Sequence, residues 1–260
     1  MTSPAPIALV TGASRGIGLA IATLLARHGH RVAMTARDGA RLEQAARALG
    51  LGGATAVAVP EDLRDPGAPA RIVARTRELL GGMPHVVVNN AGTAPTAKIE
   101  NTTDAMLAEV LEMHVRAPLA LARECLPAMK QAGGGVLLQL GSTAGLRGYA
   151  YTSAYTAAKH AMLGLTRAMA AELANTAIRC YALCPGFVDT DITRSAAAAV
   201  AASGKSTAEQ VLARMAGQNR IGRLHSTAEV AQAALHLVTQ LPKGVVYDLD
   251  RAEPGFVEET

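Results

Sequence analysis

Short runs of Val, Leu, Ile and Ala alternate along the chain with longer segments in which apolar residues recur at helical spacing. The runs are IALVT at 7–11, RVAMTA at 31–36, ATAVAV at 54–59, HVVVN at 85–89, VLLQL at 136–140 and IRCYAL at 178–183. Helical periodicity spans 16–28, 39–49, 66–80, about 103–131 and 153–174, and a helix at 227–240 precedes a last strand at 244–249. Nearly continuous apolar strands are those buried on both faces, and strands alternating with helices build a parallel sheet with helices on either side. The pattern predicts an α/β fold with a doubly wound parallel sheet of about seven strands, in a single domain covering 1–260. A polar and Ala-rich stretch at about 190–226 interrupts the rhythm and is too long for an idle connection, so it reads as a substrate-binding flap.

Composition narrows the class. With 260 residues, 50% of them hydrophobic and 18% charged, the chain can bury a large core. Although the formal charge is +4, the 25 basic residues are scattered among 21 acidic ones and aromatic platforms are scarce, which argues against a nucleic-acid partner. Cys125, Cys180 and Cys184 have no metal-type spacing and read as buried thiols in a reducing compartment, so no metal is expected. The start MTSPAPIALVTG lacks the basic and apolar regions of a signal peptide, and the apolar stretches fall short of a membrane span. A cytoplasmic protein with no membrane partner is expected.

The first strand runs into TGASRGIG at 11–18. Glycines at 12, 16 and 18 would let the backbone turn tightly and approach a pyrophosphate, whose charge is attracted by the N-terminus of the following helix. Ser14, Arg15 and Ile17 belong to the same turn. A merely tight strand-to-helix turn is the alternative, and the spacing is G-x-x-x-G-x-G. The second strand ends in Ala36-Arg37 where an enzyme preferring NAD usually places a carboxylate. Arg37, with Arg15, points to the 2′-phosphate of NADPH, against the alternative of two solvated arginines with Asp38 beside one of them. Asp62 and Leu63 would meet the adenine, and Asn90, Ala91 and Gly92 the crevice beyond the fourth strand.

In SAYTAAKH at 153–160, Tyr155 and Lys159 lie one helical turn apart, a geometry in which a cation can lower a phenol's pKa. Together with TGASRGIG, NNAG, Ser142 thirteen residues before the tyrosine and CPGFVDT, this resembles the short-chain dehydrogenase/reductase family, over the chain up to about residue 240. The resemblance implies a Rossmann-type sheet binding NADPH, Tyr155 as general acid/base, Lys159 holding the nicotinamide ribose and depressing the tyrosine's pKa, and Ser142 bonding the substrate oxygen. It further implies that Pro185, Gly186, Val188 and Thr190 close over the nicotinamide. His114 stands where the family usually has Asn, as a proton-relay group or a packed core histidine. The usual V-D-G-G ending is replaced by VVYDLDRAEP.

The activity so implied is reduction of a ketone or aldehyde, such as a β-ketoacyl thioester or a natural-product ketone. Oxidation of a secondary alcohol and a catalytically impaired nucleotide sensor are the alternatives. Leu146, Tyr149 and Phe187, with Leu212 and Met215 of the flap, would line an apolar substrate pocket, and Arg147, Arg194 and Lys205 could meet an anionic group. Relatives commonly assemble as homotetramers, and the apolar surface of the helix at 153–174 predicts a homo-oligomer.

Overall fold

The computed structural model describes residues 5–202, 204 and 206–257. Among them, eight strands form one sheet in the order β3-β2-β1-β4-β5-β6-β7-β8. They are β1 (Ile7–Thr11), β2 (Arg31–Thr35), β3 (Ala56–Ala58), β4 (Val86–Asn89), β5 (Gly135–Leu140), β6 (Ile178–Cys184), β7 (Val246–Asp248) and β8 (Gly255–Phe256). Seven are parallel, as their apolar runs predict. The eighth, two residues long and antiparallel to β7, was not anticipated, because a strand so short leaves no periodicity to read.

Helices α1 (Gly16–Arg27), α2 (Gly39–Leu51) and α9 (Thr227–Gln240) lie on one side, and α3 (Ala68–Leu80), α4 (Asp104–Leu111), α5 (Ala117–Gln131) and α6 (Ser153–Glu172) on the other. Alternate residues of each strand feed two cores. Val10, Leu138 and Leu183 pack with Ile21, Leu25, Val230 and Leu237, while Leu9, Val87 and Leu137 pack with Ile72, Leu121 and Met169. That division follows from the two-residue period of the pleat.

The long helix expected over 103–131 is instead α4 and α5 joined by a π-helical turn at Glu112–Arg116. Pro118 supplies the reason: it has no N–H to bond the carbonyl of His114, so the ladder loosens just before it. The stretch at 190–226 contains two helices, α7 (Asp191–Ala201) and α8 (Ala208–Gln218). Thr207 with Gln210 caps α8, and Ser226 with Glu229 caps α9, each as a reciprocal capping box.

β1 is flanked by β2 on one side and β4 on the other, so the connections leaving β1 and β4 diverge across opposite faces. A crevice opens there, beyond the carboxyl ends of the strands.

Candidate active site

The crevice is one cleft of about 1640 Å³. A pocket for one small ligand measures roughly 300–1,000 Å³, so two molecules fit side by side. Its wall runs from Gly12, Ser14, Arg15, Gly16 and Ile17 past Arg37, Asp62 and Leu63 to Asn90, Ala91 and Gly92. It continues through His114, Ser142, Tyr155 and Lys159 to Pro185, Gly186, Phe187, Val188 and Thr190. Residues far apart in sequence are thus brought together, while Gly18, Leu146, Arg147, Arg194 and Leu212 do not line the cleft.

At one end, Gly12 and Gly16 adopt φ of +64° and +56°, a left-handed backbone that side chains resist. Gly18 does not line the cleft. A Cβ there would collide with the carbonyl of Gly12 and the amide of Asn90, so its role is to let α1 approach the turn. Asn90 Nδ2 donates to the carbonyls of Thr11 and Gly12 at 2.9 and 3.2 Å, while Thr11 Oγ1 accepts from the N–H groups of Asn90 and Ala91. Asn90 is therefore a brace of the glycine turn.

Arg15, at the N-cap of α1, makes no side-chain cap bond, which leaves the first-turn N–H groups of that helix for an anion. Asp38 caps α2 through the N–H of Arg41 and lines the cleft beside the guanidinium of Arg37, while Arg15 is paired with Asp191 at 3.1 Å. The first-turn N–H groups and Arg37 fit the phosphates of a dinucleotide. Asp62 is clamped by Arg64, whose guanidinium and N–H hold its carboxyl below the usual carboxylate range.

At the other end, Ser142 follows β5 in an extended conformation, and its Oγ accepts from the N–H of Ala144 at 3.1 Å. It caps that turn, and it lines the cleft together with Tyr155. Lys159 is buried and its Nζ donates to the carbonyl of Leu140 at 2.5 Å, standing 5.5 Å from the centre of the Tyr155 ring. The expected depression of the phenol's pKa is not present in this arrangement. Burial pushes Tyr155 up to about 12, opposed by the nearby Ser142 hydroxyl, and burial brings Lys159 down to about 7.

His114 lies on the π-helical turn, edge-on to Tyr155 with ring centres 5.5 Å apart. Its Nε2–H donates to the carbonyl of Thr93 at 2.9 Å, which makes Nδ1 the acceptor of a neutral ring. Nδ1 is buried and has no protein partner. Burial and the neighbouring Lys159 bring its pKa down to about 3.

The substrate end departs from expectation in several places. Leu146 packs with Leu163, Ala182 and Cys184 beneath the loop and is absent from the cleft lining, because the 3-10 turn at Thr143–Gly145 turns it inward. Leu212 is likewise absent, whereas Val211 and Met215 face the cleft from α8. Arg147 is committed to the Tyr149 hydroxyl and the Gln218 carbonyl, and Arg194 pairs with Asp189 at 2.8 Å. Neither arginine is directed at a substrate, and Lys205 lies outside the described residues. Tyr149 and Phe187 do line the cleft, edge to face at 5.7 Å. Thr190 caps α7 through the N–H of Thr193. Sequence reasoning missed Asn219, whose amide binds the backbone of Phe187, and no spacing rule marks it.

Similar proteins share this arrangement of elements. Over 89% of its length the chain is 36% identical to 2-(R)-hydroxypropyl-CoM dehydrogenase of Xanthobacter autotrophicus, covering 90% of that protein. It is 33% identical to the 3-oxoacyl-acyl-carrier-protein reductase FabG of Pseudomonas aeruginosa, over 89% of each. A crystal structure of a single-residue variant of the actinorhodin polyketide ketoreductase with NADPH superposes with a TM-score of 0.89 at 30% identity, covering 95% of this chain and 97% of that one. Residues 6–201 match the family model for short chain dehydrogenases, and the chain belongs to that family.

Proposed function

We propose that this protein is an NADPH-dependent reductase of ketones, with β-ketoacyl thioesters and polyketide-type ketones as its substrate class. The observation that carries the reading is one cleft with the uncapped N-terminus of α1 and Arg37 at one end and Ser142, Tyr155 and Lys159 at the other. The actinorhodin ketoreductase, whose structure holds NADPH, and the 3-oxoacyl reductase support the cofactor and the substrate class.

When bound, NADPH supplies the hydride. Gly12, Gly16 and the first turn of α1 hold its pyrophosphate, and Arg15 and Arg37 its 2′-phosphate. Residues 185–190 face its nicotinamide. The Ser142 hydroxyl donates to the substrate carbonyl oxygen, and Tyr155 gives its proton to that oxygen as negative charge develops there. Lys159, with a pKa of about 7, gives up a proton near neutral pH and can resupply the phenol. His114 Nδ1 offers an acceptor beside this pair. α7 and α8 act as the substrate-binding flap, presenting Ile192, Val211 and Met215 to the cleft.

A second reading, oxidation of a secondary alcohol by the same residues run in reverse, is not favoured beside the ketoacyl reductases among the relatives. A sensor without catalysis is likewise not favoured, because Ser142, Tyr155 and Lys159 line one cleft. Assembly as a homotetramer is part of the proposal, supported by the part-exposed Leu107 and Leu119 on α4 and α5 and not, as the sequence suggested, by the helix at 153–174, whose Met162, Leu163, Met169 and following Leu173 are buried within this chain. So is a cytoplasmic site of action, consistent with three buried free cysteines and no helix long and apolar enough to cross a membrane among the described residues.

The test is NADPH consumption with β-ketoacyl thioesters, aryl ketones, cyclic ketones and aldehydes, with Tyr155→Phe as control. Turnover of a ketone that falls roughly 10²–10⁴-fold in the control is the expected result. A clear preference for NADH, or a Tyr155→Phe enzyme as active as the parent, would overturn it.

A further inference from the structure

Phe187 lies just beyond β6, where the chain leaves the sheet and forms a wall of the cleft. Both of its backbone polar groups are met by one side chain. The Phe187 N–H donates to Asn219 Oδ1 at 2.7 Å, and its carbonyl accepts from Asn219 Nδ2 at 2.8 Å. The other hydrogen of Nδ2 reaches the carbonyl of Arg223 at 2.7 Å. An amide only 4% exposed thus does for Phe187 what a neighbouring strand does for a strand residue. This also accounts for Gly186: a Cβ there would collide with Asn219 Oδ1 and lie 3.0 Å from Asp250 Cγ.

Asn219 is itself seated from below. The carboxylate of Asp250, 1% exposed, accepts from the N–H of Arg220 at 3.1 and 3.3 Å and from His225 Nε2 at 3.1 Å, with Arg147 at 3.6 Å. Asp250 belongs to the YDLD ending that departs from the family pattern. The His225 N–H in turn donates to the Phe187 carbonyl at 2.9 Å. Three of these bonds, two from the Asn219 amide and one from the His225 N–H, end on Phe187, whose ring packs against Tyr149.

We propose that Asn219 is a positioning residue for the cleft: its amide, on a loop whose next N–H is held by Asp250, fixes the backbone of Phe187 and so sets the wall that meets the nicotinamide half of the cofactor. The inference rests on the reading of residues 185–190 as the nicotinamide-facing segment. It predicts a defect confined to that half, with the adenosine half untouched.

The experiment compares wild type with Asn219→Ala and Asn219→Asp in three measurements: affinity for 2′,5′-ADP, affinity and fluorescence enhancement of NADPH, and thermal midpoint. In Asn219→Ala, 2′,5′-ADP binding should stay within about twofold of wild type, while NADPH binds roughly tenfold or more weakly with reduced enhancement, the scale of losing buried hydrogen bonds. Asn219→Asp should behave likewise at pH 8 and recover as pH falls. Its carboxylate would face the Phe187 and Arg223 carbonyls and Asp250, with His225, Arg220 and Arg147 across the latter, and only its protonated form can both donate and accept. If Asn219→Ala does not fold, the pH response of Asn219→Asp carries the test alone.

NADPH binding and fluorescence unchanged in Asn219→Ala, or an Asn219→Asp defect that ignores pH, would overturn the proposal. So would loss of 2′,5′-ADP and NADPH binding together with the thermal midpoint, which marks a merely structural residue. A wild type that binds NADPH but reduces no ketone would defeat the reductase reading and leave this comparison standing, since it is read in binding. A wild type that binds no NADPH defeats both.

Discussion

His114 and Gly92 occupy complementary space: a side chain on Gly92 would run into the imidazole, and only glycine at the end of β4 admits the ring. The imidazole is pinned on its other side by Tyr155 and through Nε2 by the Thr93 carbonyl. Gly92→Ala should therefore push His114 onto Tyr155, costing about 1–3 kcal/mol of stability as overpacking does, and lowering kcat with it. Adding His114→Asn, which is smaller, should recover most of both. Thermal melts and steady-state kinetics of the single and double variants check this, and additive damage in the double variant would refute the shared space.

With a pKa brought down to about 3, His114 is neutral at every pH at which the enzyme would work. Its substitution by Asn should change the rate without moving the pH–rate profile between about pH 5 and 9. Stability carries the complementary signature. Between about 3 and the ordinary value of about 6.5, the unfolded chain holds a proton on this residue that the folded one does not, so stability rises with pH across that window. The slope is at most about 1.4 kcal/mol per pH unit, and His114→Asn should flatten it. Urea denaturation at several pH values from about 4 to 7 is the measurement.

The parallel strands were legible because their buried runs carry a signal that little else in a globular chain produces, and the Tyr155–Lys159 spacing was legible because one helical turn fixes it. What the residues did elsewhere was not. Leu146 and Arg147 are neighbours in a loop, and that neither lines the cleft depends on the 3-10 turn before them and on Asp250, about a hundred residues on. The break at His114 is written in Pro118, a missing donor that periodicity does not register. Lys159 stands one helical turn from Tyr155, yet its partner is the backbone carbonyl of Leu140, which carries no side-chain signature. Backbone acceptors and long-range amide contacts such as Asn219 with Phe187 emerge only once the strands are side by side.

Arg37 lines the cleft at the end of β2, beside Asp38, which caps α2. Arg37→Glu should reverse the cofactor choice. A carboxylate there repels the 2′-phosphate and can accept from a free 2′-hydroxyl, so kcat/KM for NADPH should fall about 10–100-fold while that for NADH holds or rises. The ratio of the two, measured with one ketone, decides it. An unchanged ratio would move phosphate recognition to Arg15 and Arg41.

Lys159 sets function against stability. Its pKa of about 7 lies well below the ordinary lysine value of about 10.5, because burial disfavours the ammonium. The sign follows directly: between those two values the unfolded chain binds the extra proton, so the cost of burying this amine is largest at and below about pH 7 and fades as pH rises toward 10.5. Lys159→Met removes the charge and keeps much of the length. Even after losing the bond to Leu140, the cofactor-free variant should be about 1–3 kcal/mol more stable than wild type at pH 7, with the two converging near pH 10. Its turnover should fall by roughly 10² or more, since Met can neither hold a ribose nor resupply a proton. Chemical denaturation of both proteins at pH 7 and pH 10 separates this from a packing role, for which Lys159→Met would be the less stable protein at both.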